Sequence, residues 1–452
     1  MRGVALVLAA SLSVAAACSD FLLNTSIPSN VISARTMDFV VDLKTVVEVI
    51  PRGTKFQELP VFDCVECSDY AWESKYGFVA FNSFGLNLAA DGLNERGLSA
   101  AWLYLIATEY PTPQYNESNV KDPVKPIVAS VCSYLLGNYA TVDEVRDGLK
   151  TIQIAEFDER IQIPILHSTS LGRVPLHVSI HDAQGKSLVI EFLQGQTKVY
   201  DNINHVLTND PPLLDQLTSL QANGLETIPG GYGSTERFVR ASVLNHRAPG
   251  GYTNDFAGAS YMAGTEEQRG VSDALHIINT VVRPPVGEAT EWSVVRDHAR
   301  RKLYIQSTQN QLLRMIDLNQ LDFSNSSSRH LIPITFGPWF LDVTKALKNK
   351  ATTAKTVDLP PRTQLEQMLE HLLHNEPTPK DGSQVEQFET IALELTQPMA
   401  PGASSSAGFL LGVVCGAGLA VALMAVSNAA TDYRRHSYRR IPDPETIHFA
   451  SA

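Results

Sequence analysis

At 452 residues with 44% hydrophobic content, the chain can bury one large core or two ordinary ones. Its net charge is −12 and no basic block lies outside the extreme C-terminus, which argues against a nucleic-acid partner. Five cysteines are few for a secreted chain of this length.

The first element is a leader. A basic Arg2, an apolar run over residues 4–14 and small residues at Ala15 and Ala17 have the form of a signal peptide, 1–17, cut before Cys18. Cleavage there places a thiol beside its own α-amine, whose reference pKa of about 7.7–8.0 is far below that of lysine. Such an amine serves as the general base that a nucleophile otherwise takes from a histidine. Asp38 is a carboxylate able to orient the amine, and Arg35 a cation that favours the thiolate. Two other readings compete. A lipoprotein cysteine would have its thiol, and often its amine, consumed by lipid, but Ala15 stands where that signal prefers Leu. A retained signal anchor would leave Cys18 without a free amine.

After Cys18, residues 20–23, 31–39 and 45–50 read as strands broken by turn residues. Cys64-Val-Glu-Cys67 has no second CxxC or matching histidine spacing, so a local disulfide is the plainest reading; the pairing of Cys64, Cys67 and Cys132 stays open. Residues 78–84 and 98–105 are strand-like, the second with Trp102 and Tyr104 on one face by period two. Helical signals follow in the apolar run 126–136 and in the capping box that opens at Thr141. Strands return over 176–181, 188–193, around Val199 and over 206–208, read as an antiparallel meander. Residues 213–220, 237–244 and 271–282 read as helices, and 292–295 with 303–306 as a closing hairpin. This order suggests an α+β domain spanning 18–345. Asn24, Asn116 and Asn325 each begin a glycosylation triplet. His205 and His276 are the nearest candidates for a Cys-His pair, but the papain-like segment around the cysteine is missing, and both are read as structural.

Beyond Trp339 the pattern thins. Leu365, Met368, Leu369 and Leu372 form one apolar stripe at helical spacing, inside a segment 346–406 that becomes a Pro-, Gly- and Ser-rich stalk. Residues 407–426 are almost wholly apolar, the length of a membrane-crossing helix. Arg434, Arg435, Arg439 and Arg440 follow, so the tail 427–452 is expected in the cytosol. The expectation is a single-pass type I membrane protein whose globular part is extracellular or in the secretory or endolysosomal lumen. Gly408, Gly412 and Gly416 recur every fourth residue, a spacing suited to a homo-oligomeric helix contact.

The N-terminal pattern resembles the choloylglycine hydrolase and penicillin V acylase family of N-terminal nucleophile hydrolases. In that family a leading Cys is followed by two strands, the second reading Arg-Asn-Met-Asp; here it reads Arg35-Thr36-Met37-Asp38, with Thr in place of Asn. Asp91-Gly92-Leu93-Asn94-Glu95-Arg96-Gly97-Leu98 resembles the family's hairpin turn. Val206-Leu207-Thr208-Asn209-Asp210-Pro211 resembles its oxyanion segment, and Pro229-Gly230 followed by Glu236-Arg237-Phe238 the segment of its second arginine. The resemblance covers residues 18–318, with the motifs in family order.

It implies a four-layer αββα sandwich with antiparallel sheets, and hydrolysis of linear amides of N-acylated small molecules without cofactor or metal. It assigns Cys18 as nucleophile, Arg35, Asp38 and Arg237 as its charge network, and Asn209 as oxyanion donor, with Arg240 as the fallback for Arg237. Tyr104 stands where bile-salt hydrolases usually carry Asn and penicillin V acylases Tyr, which implies aryl-acyl and other small acylated amines over conjugated bile acids, and tethering near lipid adds fatty-acyl amides. The competing reading is a membrane-anchored receptor or binding protein that keeps the fold without the chemistry.

Overall fold

A computed structural model describes residues 18–39, 42–58, 61, 70–83, 88–116, 119–157, 174–248, 265–284, 289–324, 330–342 and 344. The chain divides into two units, Met1–Asn349 and Lys350–Ala452, and every described residue belongs to the first. The leader 1–17, Cys64, Cys67, Asn325, the stripe at 365–372, the stalk, the apolar segment 407–426 and the tail lie outside the described residues. Among the described residues no helix is long and apolar enough to cross a membrane.

Two antiparallel sheets carry the fold. One has six strands in the order Val206–Thr208, Ser19–Leu22, Ile32–Phe39, Ala289–Asp297, Lys302–Ser307 and Asn310–Asp317. The other has eight: Gln196–Asp201, Ser187–Leu193, Leu176–His181, Ser99–Tyr104, Ala89–Asn94, Phe78–Asn82, Val46–Ile50 and Leu331–Pro333. Period-two alternation sorts their side chains into separate cores. Met37, Phe81, Leu103 and Trp292 meet between the sheets. Phe21, Ile32 and Ala34 face the other way, against helices α4 (Ser234–Arg247) and α5 (Glu266–Asn279). Ala80, Trp102 and Ile180 lie on the far face of the eight-stranded sheet, against α1 (Val131–Asn138) and α2 (Val142–Gly148). The layers therefore run helix, sheet, sheet, helix. A further helix, α3 (Leu213–Asn223), packs beside α4.

Several boundaries differ from the sequence reading. The run 126–136 is not one helix: Ile127–Val128 is a short strand parallel to Gln153–Ile154, and α1 starts only at Val131. The strand Val206–Thr208 does not end the meander but leaves it to pair with Ser19–Leu22 in the other sheet. That crossover brings Asn209 beside the start of the domain. Helix α5 begins at Glu266 rather than at residue 271, because Thr265 and Gln268 form a reciprocal capping box. At the hairpin after Asn94, Gly97 has φ +86°, and a Cβ there would sit 2.4 Å from the His298 carbonyl, so only glycine closes the turn.

Candidate active site

The strand Ser19–Leu22 places successive side chains on opposite faces of its sheet. Asp20 faces the second sheet, whereas Ser19 and Phe21 face the helices; Cys18, just before the strand, joins the core between the sheets. The adjacent strand repeats this division. Arg35 and Met37 reach between the sheets, and Asp38 points to the helical side.

Cys18 is buried. Its Sγ lies 3.7 Å from Arg35 Nη2 and 3.8 Å from Met37 Sδ. Burial pushes the thiol up from its ordinary value, and the Arg35 charge and a hydrogen bond from the Asp38 backbone N–H pull the other way. Among the described residues, no histidine hydrogen-bonds the sulfur.

Arg35 is itself fully enclosed. Its Nη1 donates to Ala90 O at 2.7 Å and to Asp91 Oδ2 at 2.9 Å, and its Nη2 donates to Trp102 O. The guanidinium lies 5.5 Å from the centre of the Trp292 ring.

Asp38 sits opposite Thr290 across an irregularity in the strand pairing, and Thr290 Oγ1 donates to Asp38 Oδ1 at 2.6 Å. Its Oδ2 is buried without a hydrogen-bond partner among the described residues. Burial raises this carboxyl to about 6, against the opposing pull of the Arg237 charge and the Thr290 hydroxyl. Thr36, the residue that departs from the family's Asn, accepts a hydrogen bond from Ser19 N at 3.1 Å.

The third approach comes from α4. Arg237 Nη1 donates to Cys18 O at 2.6 Å and to Ser19 Oγ, Nη2 donates to Asn209 Oδ1 at 2.9 Å, and Nε donates to Tyr232 O at 3.1 Å. Arg240 instead binds the carbonyls of Pro229, Gly231 and Thr280, so the fallback is not needed. Asn209 Nδ2 donates to Tyr104 O at 3.0 Å. An amide nitrogen has two N–H groups, and Tyr104 takes one. Tyr104 thus enters the site through its carbonyl, with the side chain half-buried at the end of its strand.

Cys18, Arg35, Asp38, Asn209, Arg237 and Tyr104 are therefore brought together. Sequence reasoning overlooked the groups that hold them. Gln216 clamps the oxyanion segment, donating to Asn209 O at 2.9 Å and Pro211 O at 2.6 Å while accepting from Thr208 N at 3.1 Å. Asp91 stood inside a recognised motif but had no role, and Asp20, Arg296 and Thr290 carried no signal at all. Of the other predicted positions, Asn24 is exposed, and Asn116 Nδ2 donates to Asp122 Oδ2 at 2.6 Å. Cys132 is a free, buried thiol. Among the described residues no group of His, Cys, Asp or Glu is placed to hold a metal ion.

Comparison with known proteins identifies the family. The family described as linear amide C-N hydrolases, choloylglycine hydrolase family, matches residues 18–332. A penicillin V acylase of Pectobacterium atrosepticum is 28% identical over 346 residues, covering 71% of this chain and 85% of that protein. A bile salt hydrolase/transferase of Clostridium perfringens is 28% identical over 239 residues, covering 46% and 66%. The structure of a penicillin V acylase from Agrobacterium tumefaciens aligns with a TM-score of 0.54 at 25% identity, covering 68% of this chain and 88% of that one. That of a conjugated bile acid hydrolase variant from Clostridium perfringens, at 19% identity and a TM-score of 0.53, shares the fold. The chain belongs to the choloylglycine hydrolase family of linear amide C–N hydrolases.

Proposed function

We propose that the mature chain begins at Cys18 and hydrolyses N-acyl amides through a cysteine acyl-enzyme. The observation that carries this reading is the convergence on one residue: Arg35 reaches the Cys18 sulfur, and Arg237 ties the Cys18 carbonyl to Asn209. Release of the leader frees the α-amine. Asp38 Oδ2, a buried acceptor with no hydrogen-bond partner among the described residues, is the group suited to hold it.

In the reaction the amine takes the thiol proton and the sulfur attacks the amide carbonyl. The second N–H of Asn209 stabilises the oxyanion. The protonated amine then gives its proton to the leaving nitrogen, the C–N bond breaks, and an acyl-thioester remains. Water, deprotonated by the same amine, attacks the thioester and releases the acid.

Tyr104 narrows the choice of acyl group. A phenol presents a flat apolar face beside one donor, where an Asn would present a compact amide. By alternation the Tyr104 side chain shares the Trp102 face rather than the Leu103 face that meets Cys18, so the preference for slim aryl-acyl or fatty-acyl amides over steroid conjugates rests on the family resemblance at this position and on tethering near lipid. The leader and the apolar segment 407–426 support a luminal or extracellular domain tethered by one membrane helix, which would keep the site near lipid.

The direct test is Cys18→Ala, assayed with phenoxyacetyl and medium-chain acyl amides. Turnover falls to background while the circular dichroism stays native; retained turnover would remove the enzyme mechanism and favour a binding protein on the same fold.

A further inference from the structure

Behind the thiol, a row of buried ionisable groups runs between the two sheets. It starts at Cys18 and passes through Arg35, Asp91, Arg296 and Asp20 to His181, all of them buried. Arg296 Nε donates to Asp91 Oδ1 at 2.8 Å, and its Nη2 donates to Asp91 Oδ2, the same oxygen that accepts from Arg35. Arg296 Nη1 and Nη2 reach Asp20 Oδ2 at 3.1 and 3.0 Å, and Nη1 also donates to Ser33 Oγ at 2.9 Å. Asp20 Oδ1 is met by His181 Nε2 at 2.5 Å and by Ser179 Oγ at 3.1 Å. Arg35, Arg296 and Asp20 belong to the six-stranded sheet, Asp91 and His181 to the eight-stranded one.

Stability alone does not call for this row. Desolvating several charges costs several kcal/mol for each ion, and well-packed apolar residues of similar volume often serve as well. What the row does supply is direction. Arg35 Nε has no hydrogen-bond partner among the described residues, so the oxygens that fix the head of the side chain are those of Ala90, Trp102 and Asp91. Asp91 is in turn fixed by the two-pronged grip of Arg296, a geometry that a lysine cannot reproduce.

We propose that Asp91 and Arg296 are positioning residues that aim the Arg35 guanidinium at Cys18 Sγ, so that ionisation of the thiol depends on a carboxylate that never meets the substrate. The proposal rests on Cys18 being the nucleophile. Two effects of removing the Asp91 charge have opposite signs. By simple electrostatics, taking away a nearby anion makes the thiolate easier to form. Releasing Arg35 from its aim makes it harder.

The experiment measures the pH dependence of Cys18 alkylation by iodoacetamide in the matured full chain, read by mass on the N-terminal peptide so that other cysteines do not contribute. In Asp91→Asn and Arg296→Met the alkylation midpoint moves up by about one pH unit. Their kcat falls by about tenfold or more, with KM changed by less than about twofold. Arg296→Lys, which keeps the charge without the fork, lies between wild type and Arg296→Met, and it carries the same readout if Asp91→Asn does not fold. Glu58→Gln is the control. That buried carboxylate binds Trp72 Nε1 and the start of α1, so its loss lowers Tm without moving the midpoint. A folded Asp91→Asn or Arg296→Lys with an unchanged or lowered midpoint overturns the positioning role. Failure of Cys18 to react in the wild type, or turnover by Cys18→Ala, overturns the nucleophile assignment beneath it.

Discussion

Arg237 Nη1 donates to the Cys18 carbonyl at 2.6 Å, across a sequence separation of 219 residues. The same guanidinium reaches the side-chain oxygen of Asn209, so one rigid fork holds Cys18 and Asn209 in a fixed relation. Lysine has the charge but not the geometry. In Arg237→Lys, kcat/KM falls by about 10²-fold, since a displacement of about 1 Å costs that much at a reacting centre. Steady-state kinetics on a phenoxyacetyl amide checks this; a loss of less than about threefold would place Arg237 outside the machinery.

Asn209 is oriented at both ends, its oxygen by Arg237 and one N–H by the Tyr104 carbonyl. In the proposed mechanism the remaining N–H acts on the oxyanion and not on the ground-state carbonyl. Asn209→Ala therefore lowers kcat by about 10²–10³-fold with little change in KM. A rise in KM at unchanged kcat would show that the residue binds substrate instead.

The sequence carried the chemistry close to the N-terminus and little of what supports it. Cys18, Arg35 and Asp38 stood out because the small residues Ala15 and Ala17 and a short strand put them in a recognisable order. Asn209 and Arg237 were legible only through flanking motifs. Asp20, Arg296 and Gln216 were not, because their roles are set by contacts across the sheets or within a tight turn, and no local periodicity encodes such partners. The strand Asn310–Asp317 was missed for a different reason. Its apolar residues Leu312, Leu313, Met315 and Ile316 do not alternate, and it pairs along only one edge of its sheet.

The family resemblance at Tyr104 makes substrate choice testable. The unmodified enzyme cleaves phenoxyacetyl and medium-chain acyl amides with higher kcat/KM than glyco- or tauro-conjugated bile acids, and Tyr104→Asn narrows the gap. Competition assays with both substrate classes decide it. A preference of the unmodified enzyme for bile conjugates would refute this reading of Tyr104 and leave the nucleophile untouched.

His298 predicts how stability responds to acid. It is buried between Gly97 O, 2.9 Å from Nδ1, and Ser33 Oγ, 2.8 Å from Nε2. Burial and the His181 charge push its pKa down from 6.5 to about 3. Between those values the unfolded chain binds a proton that the folded chain refuses, so stability falls as pH drops from about 6.5 toward 3. Asp20, whose pKa is lowered despite burial, chiefly by the Arg296 charge, adds a loss that begins below its ordinary 3.8. Thermal melts across this range show a Tm that declines with acid, and His298→Gln flattens the upper part of the decline. An equal slope in both proteins would mean that His298 does not set it.

If the α-amine of Cys18 is the base, two purified forms of the same chain, one beginning at Cys18 and one retaining Ala17, must differ in turnover. In the longer form that nitrogen is an amide and accepts no proton. Turnover, and a thioester adduct on Cys18 by intact mass after a thiol-directed acylating probe, are expected only in the form that begins at Cys18. Equal kcat/KM for the two forms would contradict it.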